Sequence, residues 1–221
     1  MARQSGCTIV TIMDVDEGRV EYAIRKGFAT HGYVVPKPLH SSASSSSIFT
    51  SGTSTPSSID GIMTPLSSYS SISERLDGAK AVAADVLAVA RPDLPLEEDD
   101  DDGVDVTFEC TGKEPCMQTA LYATKPGGKV IMVGMGTPIQ TVPLSAAHLR
   151  EVDILGIFRY ANTYPTGIRL LAGKGGMKIP SLDDMVTHKF KGLGRAKKAF
   201  ELASRTSDDE GKLVLKVVIE A

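Results

Sequence analysis

"CTIVTIMDVDEGR" (residues 7–19) is the stretch on which the fold turns. Its apolar, β-branched run Ile9-Val10-Thr11-Ile12-Met13 reads as a strand, and the run stops on Asp14. The next segment, "EGRVEYAIRKG", sets Val20, Ala23 and Ile24 at helical spacing and closes on Gly27, a C-cap. "YVV" (33–35) is a second brief strand, stopped by Pro36. The unit is therefore strand, helix, strand, with a carboxylate at the end of its first strand.

The same alternation returns beyond residue 100. "GVDVTFECTG" (103–112) reads as a strand ending in a small-residue turn. "EPCMQTALYATKPGG" (114–128) reads as a helix with Pro115 in its first turn and Gly127-Gly128 at its close. "KVIMVGMG" (129–136) is apolar until its glycines, as a parallel strand covered on both faces requires. "REVDILGIFRY" (150–160) supplies another strand, "TYPTGIRLLAGKGG" (163–176) a helix, and "GKLVLKVVIEA" (211–221) alternates as a strand does. Repetition of this kind predicts an α/β chain with a mostly parallel sheet and helices on both faces.

Between the two regions the composition changes. Residues 41–73 hold 15 serines and few large apolar groups. A stretch so poor in burial cannot offset its ordering entropy, and it reads as a disordered insertion. Thr55-Pro56 and Thr64-Pro65 within it suit proline-directed phosphorylation, or a plain linker. "ISERLDGAKAVAADVLAVARP" (72–92) restores order as an amphipathic helix with Ser73 as N-cap and Pro92 past its end. "LEEDDDDG" is a solvated acidic loop without the spaced ligands of a calcium site.

Bulk properties narrow the function. A net charge of -3 gives no footprint for nucleic acid or an anionic membrane. No apolar stretch reaches the roughly 18 residues of a spanning helix, and no signal-peptide core opens the chain. Cys7, Cys110 and Cys116 form an odd set with no pairing pattern, which suits reduced thiols in a cytoplasmic protein.

Ligands of open parallel sheets bind beyond the carboxyl ends of the strands. Asp14 at such an end could accept both hydroxyls of an adenosine ribose and repel a 2'-phosphate, or serve as a plain strand-end or N-cap aspartate. Arg19 would flank it. "ECTG" (109–112) and "VGMG" (133–136) end strands on small residues that would let a flat ring approach, or simply turn the chain. "GIFRY" (156–160) ends in Arg159 and Tyr160, two donors suited to a hydroxyl-rich substrate or a pyrophosphate, or to an exposed loop. His148 and His188 are proton carriers by type, but neither has a carboxylate pattern beside it in sequence, and both read as structural.

Taken together, "DVTFECTGKEPCMQTALYATKPGGKVIMVGMG", "PLSAAHLREVDILGIFRYANTYPTGIRLLAGKG" and "MVTHKF" resemble the C-terminal half of zinc-dependent medium-chain polyol dehydrogenases. Sorbitol, xylitol and L-arabinitol dehydrogenases are the relatives the resemblance points to. It runs from about Ala2 to Val35, fails at Pro36 and resumes at about Glu74. It implies an NAD-dependent oxidation of a polyol to a ketose. It assigns Asp14 and Arg19 to the adenosine ribose. Val133, Gly134 and Met135 fall beside the nicotinamide half, and Ile157, Phe158 and Arg159 in a second cofactor segment. Arg159 and Tyr160 become substrate contacts. Zinc belongs to the family, but its ligands come from a catalytic domain with no counterpart here, so no metal ligand and no catalytic residue is assigned.

The resemblance also implies an incomplete Rossmann-type sheet with its first strand and Gly-rich turn missing. The expected division is 1–36 and 74–176 as nucleotide-binding parts, 37–73 as the Ser-rich insertion, and 177–221 as a segment that packs on the catalytic domain. A strand order of 3-2-1-4-5-6 without its first strand predicts a sheet split in two. Weak cofactor binding, poor solubility and an inactive isolated chain would follow. A polyol substrate and a homo-oligomer are the expected partners. The other readings are a non-catalytic nucleotide-binding or dimerisation remnant, and an adaptor regulated through phosphate on Thr55 or Thr64.

Overall fold

A computed structural model describes residues 1–36, 71–91, 103–173 and 180–220. The Ser-rich stretch up to residue 70, the acidic loop, Thr55 and Thr64 lie outside the described residues.

Strand β1 (Thr11–Asp14) pairs in parallel with β2 (His31–Val34), Thr11 opposite His31 and Asp14 opposite Val34. Helix α1 (Glu17–Arg25) makes the crossover. It starts where Asp16 accepts the Arg19 amide at 3.0 Å, so the N-cap is Asp16 and not Asp14. It stops as expected, with Gly27 at φ +74 just beyond its last turn. Val20, Tyr22 and Ala23 form its buried face.

Helix α2 (Ile72–Ala90) begins two residues earlier than an N-cap at Ser73 would place it. Ser71 accepts the Glu74 amide while the Glu74 carboxylate accepts the Ser71 amide, a reciprocal capping box. Ser73 lacks that geometry and lies inside the helix, so the ordered part begins before the expected boundary at 73. Ala79, Ala83, Leu87 and Ala90 make a narrow buried stripe. The helix packs against α3 (Glu114–Ala123) and also against β2 and β1. The Tyr33 hydroxyl donates to Asp85 at 2.7 Å, and Arg75 pairs with Glu114 at 3.1 Å. Burial and then the Asp85 carboxylate push the Tyr33 phenol above its ordinary range.

The second sheet is parallel, in the order β3 (Val104–Glu109), β4 (Thr124–Met132), β5 (Asp153–Gly156). The expected helix over 114–128 ends sooner, at Ala123, and β4 starts at once. Two groups fix that boundary. Thr124 Oγ1 donates to the Ala120 carbonyl at 2.7 Å. The Arg150 guanidinium donates to the carbonyls of Thr124 at 2.9 Å and Leu121 at 2.5 Å. The Leu121 carbonyl at the helix end is thereby paired with a cation at the favourable pole, while the Ala120 carbonyl accepts the Thr124 hydroxyl in addition to the Thr124 amide. One sheet face is sealed by Met117, Ala120 and Leu121 of α3, with Val130, Val152 and Ala147 of α4 (Leu144–His148). Burying Leu121 completely is worth about 1.5–3 kcal/mol.

The expectation of helices on both faces holds only in part. Val106 and Phe108 of β3 and Leu155 of β5 share the opposite face, and all three are exposed among the described residues. Helix α5 (Tyr164–Leu171) buries only Leu170. Strand β5 is also shorter than 150–160, because the backbone turns left-handed at Glu151 and again at Arg159. A third parallel pair joins β6 (Val186–Lys191) to β7 (Lys216–Glu220) through α6 (Ala196–Ala203). Among the described residues no ladder joins β1–β2 to β3–β4–β5. The expected split of the sheet is observed.

Candidate functional site

Asp14 closes β1 with its side chain about a quarter exposed. One carboxylate oxygen accepts the Asp16 amide at 3.0 Å; the other lies 3.9 Å from Arg19 Nη1. Arg19 Nε is buried without a hydrogen-bond partner. A carboxylate with spare lone pairs beside an unpaired guanidinium N–H is a donor–acceptor set that fits a ribose diol.

At the end of β3, Glu109 is 4% exposed. Its carboxylate accepts the amides of Thr111 at 2.8 Å and Gly112 at 2.9 Å, and the Thr111 hydroxyl at 2.5 Å. This buried anion, which the sequence reading passed over, holds the ECTG turn closed. The signal was present: an acid ending an apolar strand, as at Asp14, followed by donors two and three residues on.

The loop after β4 lies directly on that turn. The amides of Val133 and Gly134 both donate to the Glu109 carbonyl, at 2.8 and 2.9 Å. The Thr137 amide and Gln140 Nε2 donate to the Gly112 carbonyl, at 3.0 and 2.9 Å. A Cβ on Gly134 would collide with the Gly112 amide nitrogen and lie 2.6 Å from Thr111 backbone atoms. A Cβ on Gly112 would meet Gly136 in the same way, at a φ of +70. The room left by these glycines is filled by backbone from the opposite loop, which explains them without a ring seated there. Val133 and Met135, in contrast, expose their side chains.

Beside this pair of loops, the Ile157 amide donates to the Met132 carbonyl at 3.2 Å, so 133–135 and 157–159 leave neighbouring strands side by side. Phe158 is exposed, with the Arg159 guanidinium over its ring at 5.1 Å. Tyr160 meets Tyr164 edge-on at 5.2 Å. Arg159 holds φ +57, a conformation that costs a non-glycine residue free energy and collects at functional loops. The sequence-derived residues thus form two groups. Asp14 and Arg19 belong to the β1–β2 sheet; the segments 133–135 and 157–160 belong to the β3–β5 sheet.

Cys110 is exposed as a residue, yet desolvation of its sulfur and then the Glu109 charge push its thiol above the ordinary range. His148 is exposed on α4. His188, read as structural, has a carboxylate neighbour 20 residues away in sequence: Nε2 lies 3.0 Å from Asp208 Oδ2. Asp208 also accepts the amides of Glu210 and Lys212, at 3.0 and 2.7 Å. The His188 hydrogen bond, then the Lys212 amide, hold its carboxyl below the ordinary value of 3.8. A carboxyl depressed on folding contributes stability that is complete above its unfolded value and is lost as the pH falls through the folded one. Asp208→Asn is therefore expected to lower the urea midpoint at neutral pH. Its difference from the parent chain is expected to shrink as acid protonates the carboxylate. An equal difference at both pH values would remove this explanation. No cluster of three or more metal-ligating side chains occurs among the described residues. No described helix is long and apolar enough to cross a membrane.

Residues 69–173 match the family model for zinc-binding dehydrogenases. Over this segment, a little under half of its length, the chain is similar to zinc-binding dehydrogenases. The chain is 41% identical to sorbitol dehydrogenase of Homo sapiens over 133 residues, which is 58% of this chain and 36% of that protein. It is 48% identical to sorbitol dehydrogenase of Gallus gallus over 101 residues, 46% of this chain and 27% of that one. The matches thus span about a third of the length of these curated relatives. Among solved structures, a zinc-binding dehydrogenase from Sinorhizobium meliloti 1021 bound to NADP aligns at a TM-score of 0.59. That alignment has 20% identity and covers 99% of this chain and 47% of that one. L-idonate 5-dehydrogenase from Escherichia coli aligns at 0.57 and 17% identity, over 99% of this chain and 44% of that one. At those identities the structures show the shared α/β fold alone.

Proposed function

We propose that the chain supplies the nucleotide-binding part of an NAD-dependent dehydrogenase that oxidises a polyol to a ketose. The observation that carries the reading is the Asp14–Arg19 pair at the carboxyl end of a parallel strand, in a chain that is 41% identical over 133 residues to a sorbitol dehydrogenase. In this reading Asp14 accepts the ribose hydroxyls and Arg19 donates beside it. Exposed Val133 and Met135, with Gly134 between them, border the nicotinamide half. Ile157, Phe158 and Arg159 line the next edge, and Arg159 with Tyr160 reaches the substrate. Residues 1–36 and 74–176 form the nucleotide-binding part, and 177–221 packs against a catalytic partner. When bound, NAD would accept the hydride; the residues of this chain bind and orient it.

Titration of the chain with NADH and NADPH, followed by calorimetry, tests the proposal. NADH is expected to bind more tightly than NADPH, because Asp14 repels a 2'-phosphate. Asp14→Ala is expected to weaken NADH by about 10–100-fold, the loss of one or two charge-assisted hydrogen bonds. Equal NADH affinity in both chains would sink the assignment of Asp14, and tighter binding of NADPH would reverse the cofactor preference.

A further inference from the structure

A concavity lies where the C-terminus of α1 faces the segment that carries β6 and the approach to β7. It has a volume of about 490 Å³, and its wall is formed by Tyr22, Arg25, Lys26, Asp184, Thr187, Lys212 and Leu213.

Its charges do not cancel. Lys26 and Asp184 pair with each other and so account for one cation and the only carboxylate of the wall. Arg25 has no ion pair among the described residues; its guanidinium stands 5.9 Å from the centre of the Tyr22 ring. Lys212 Nζ donates to the Thr187 carbonyl at 3.2 Å, which leaves two ammonium protons unused. Tyr22 is 8% exposed, and its hydroxyl is buried with no hydrogen-bond partner. A buried phenol without a partner is costly, and such groups normally find one.

We propose that this cavity binds a small phosphate-bearing anion, held by Arg25, Lys212 and the Tyr22 hydroxyl. A guanidinium, an ammonium and a phenol O–H are donors without a competing acceptor role toward an anion. Together they supply more hydrogen bonds than a carboxylate can absorb and suit the three free oxygens of a phosphate. The proposal stands independently of the cofactor reading.

The test is calorimetric or NMR titration of the folded chain with inorganic phosphate, and in parallel with ribose 5-phosphate. Saturable binding is expected, and Lys212→Gln, an exposed change that leaves the fold intact, is expected to weaken it about tenfold. Tyr22→Phe is expected to weaken it similarly while leaving the phosphate-free melting temperature unchanged or higher, since no hydrogen bond is lost. Tighter binding of ribose 5-phosphate identifies a phosphorylated metabolite as the ligand; equal binding identifies free phosphate. The proposal is overturned by non-saturable binding, by affinity unchanged in both variants, or by phosphate that NADH displaces competitively. A lower phosphate-free melting temperature in Tyr22→Phe would also overturn it, by showing a structural partner for the hydroxyl.

Discussion

Gly134→Ala is expected to destabilise the three-stranded sheet by about 3 kcal/mol or more, most of the stability of a marginal domain. The reason lies in what its methyl group would meet. The neighbours are the Gly112 amide nitrogen and Thr111 backbone atoms at 2.6 Å, and no flexible side-chain end is there to swing aside. The two loops would have to part, and the amides of Val133 and Gly134 would lose the Glu109 carbonyl. A urea melt followed by far-UV circular dichroism checks the effect through the transition midpoint. A control at Gly156, where an added Cβ meets nothing within 4 Å, is expected to change the midpoint far less. If both alanines behave alike, the backbone-on-backbone packing is not what stabilises this corner.

Glu109→Ala is expected to cost a comparable amount, about 3 kcal/mol or more. It strips the buried Gly112 amide, and with it the amide and hydroxyl of Thr111, of one shared acceptor and leaves the Gly112 amide unpaired. Glu109→Gln keeps the volume but turns an N–H toward donors, so it is expected to fall between parent and alanine. The glutamine variant has a second readout. Because the Glu109 charge helps to hold the Cys110 thiol high, its removal is expected to move the onset of Cys110 alkylation by iodoacetamide to lower pH. A reaction profile identical to the parent would mean that desolvation alone sets the thiol.

Sequence pattern carried the local elements and the strand ends well. The β1–α1–β2 unit, the strand before ECTG and the glycine loop after β4 all follow from apolar runs and their stops, which are short-range signals. The split between β1–β2 and β3–β5 also followed, from strand order. Tertiary pairings did not. Arg150 ends α3 from nearly 30 residues away, and His188 finds Asp208 beyond helix α6; neither partner leaves a mark in local spacing. The cap at Ser71 rather than Ser73 turned on which serine stands three residues before a glutamate, and that was readable in "SISE". The glycines of ECTG and VGMG read equally as room for a ligand and as plain turn glycines. Two backbones crossing in space account for them better, and no single-chain pattern reveals such a crossing.

Helix α2 has a consequence for how the molecule comes apart. The ladders on either side of it share no backbone hydrogen bond among the described residues, while its alanine stripe touches both the β1–β2 side and α3. Amide protons in the two ladders can therefore exchange with solvent through separate openings. The 19-residue helix is the element through which melting of one ladder is felt by the other. Cooperativity in this chain resides in a helix and not in a continuous sheet. A ligand that touched both ladders would act as a second tie between them, fusing two protection classes of amides into one.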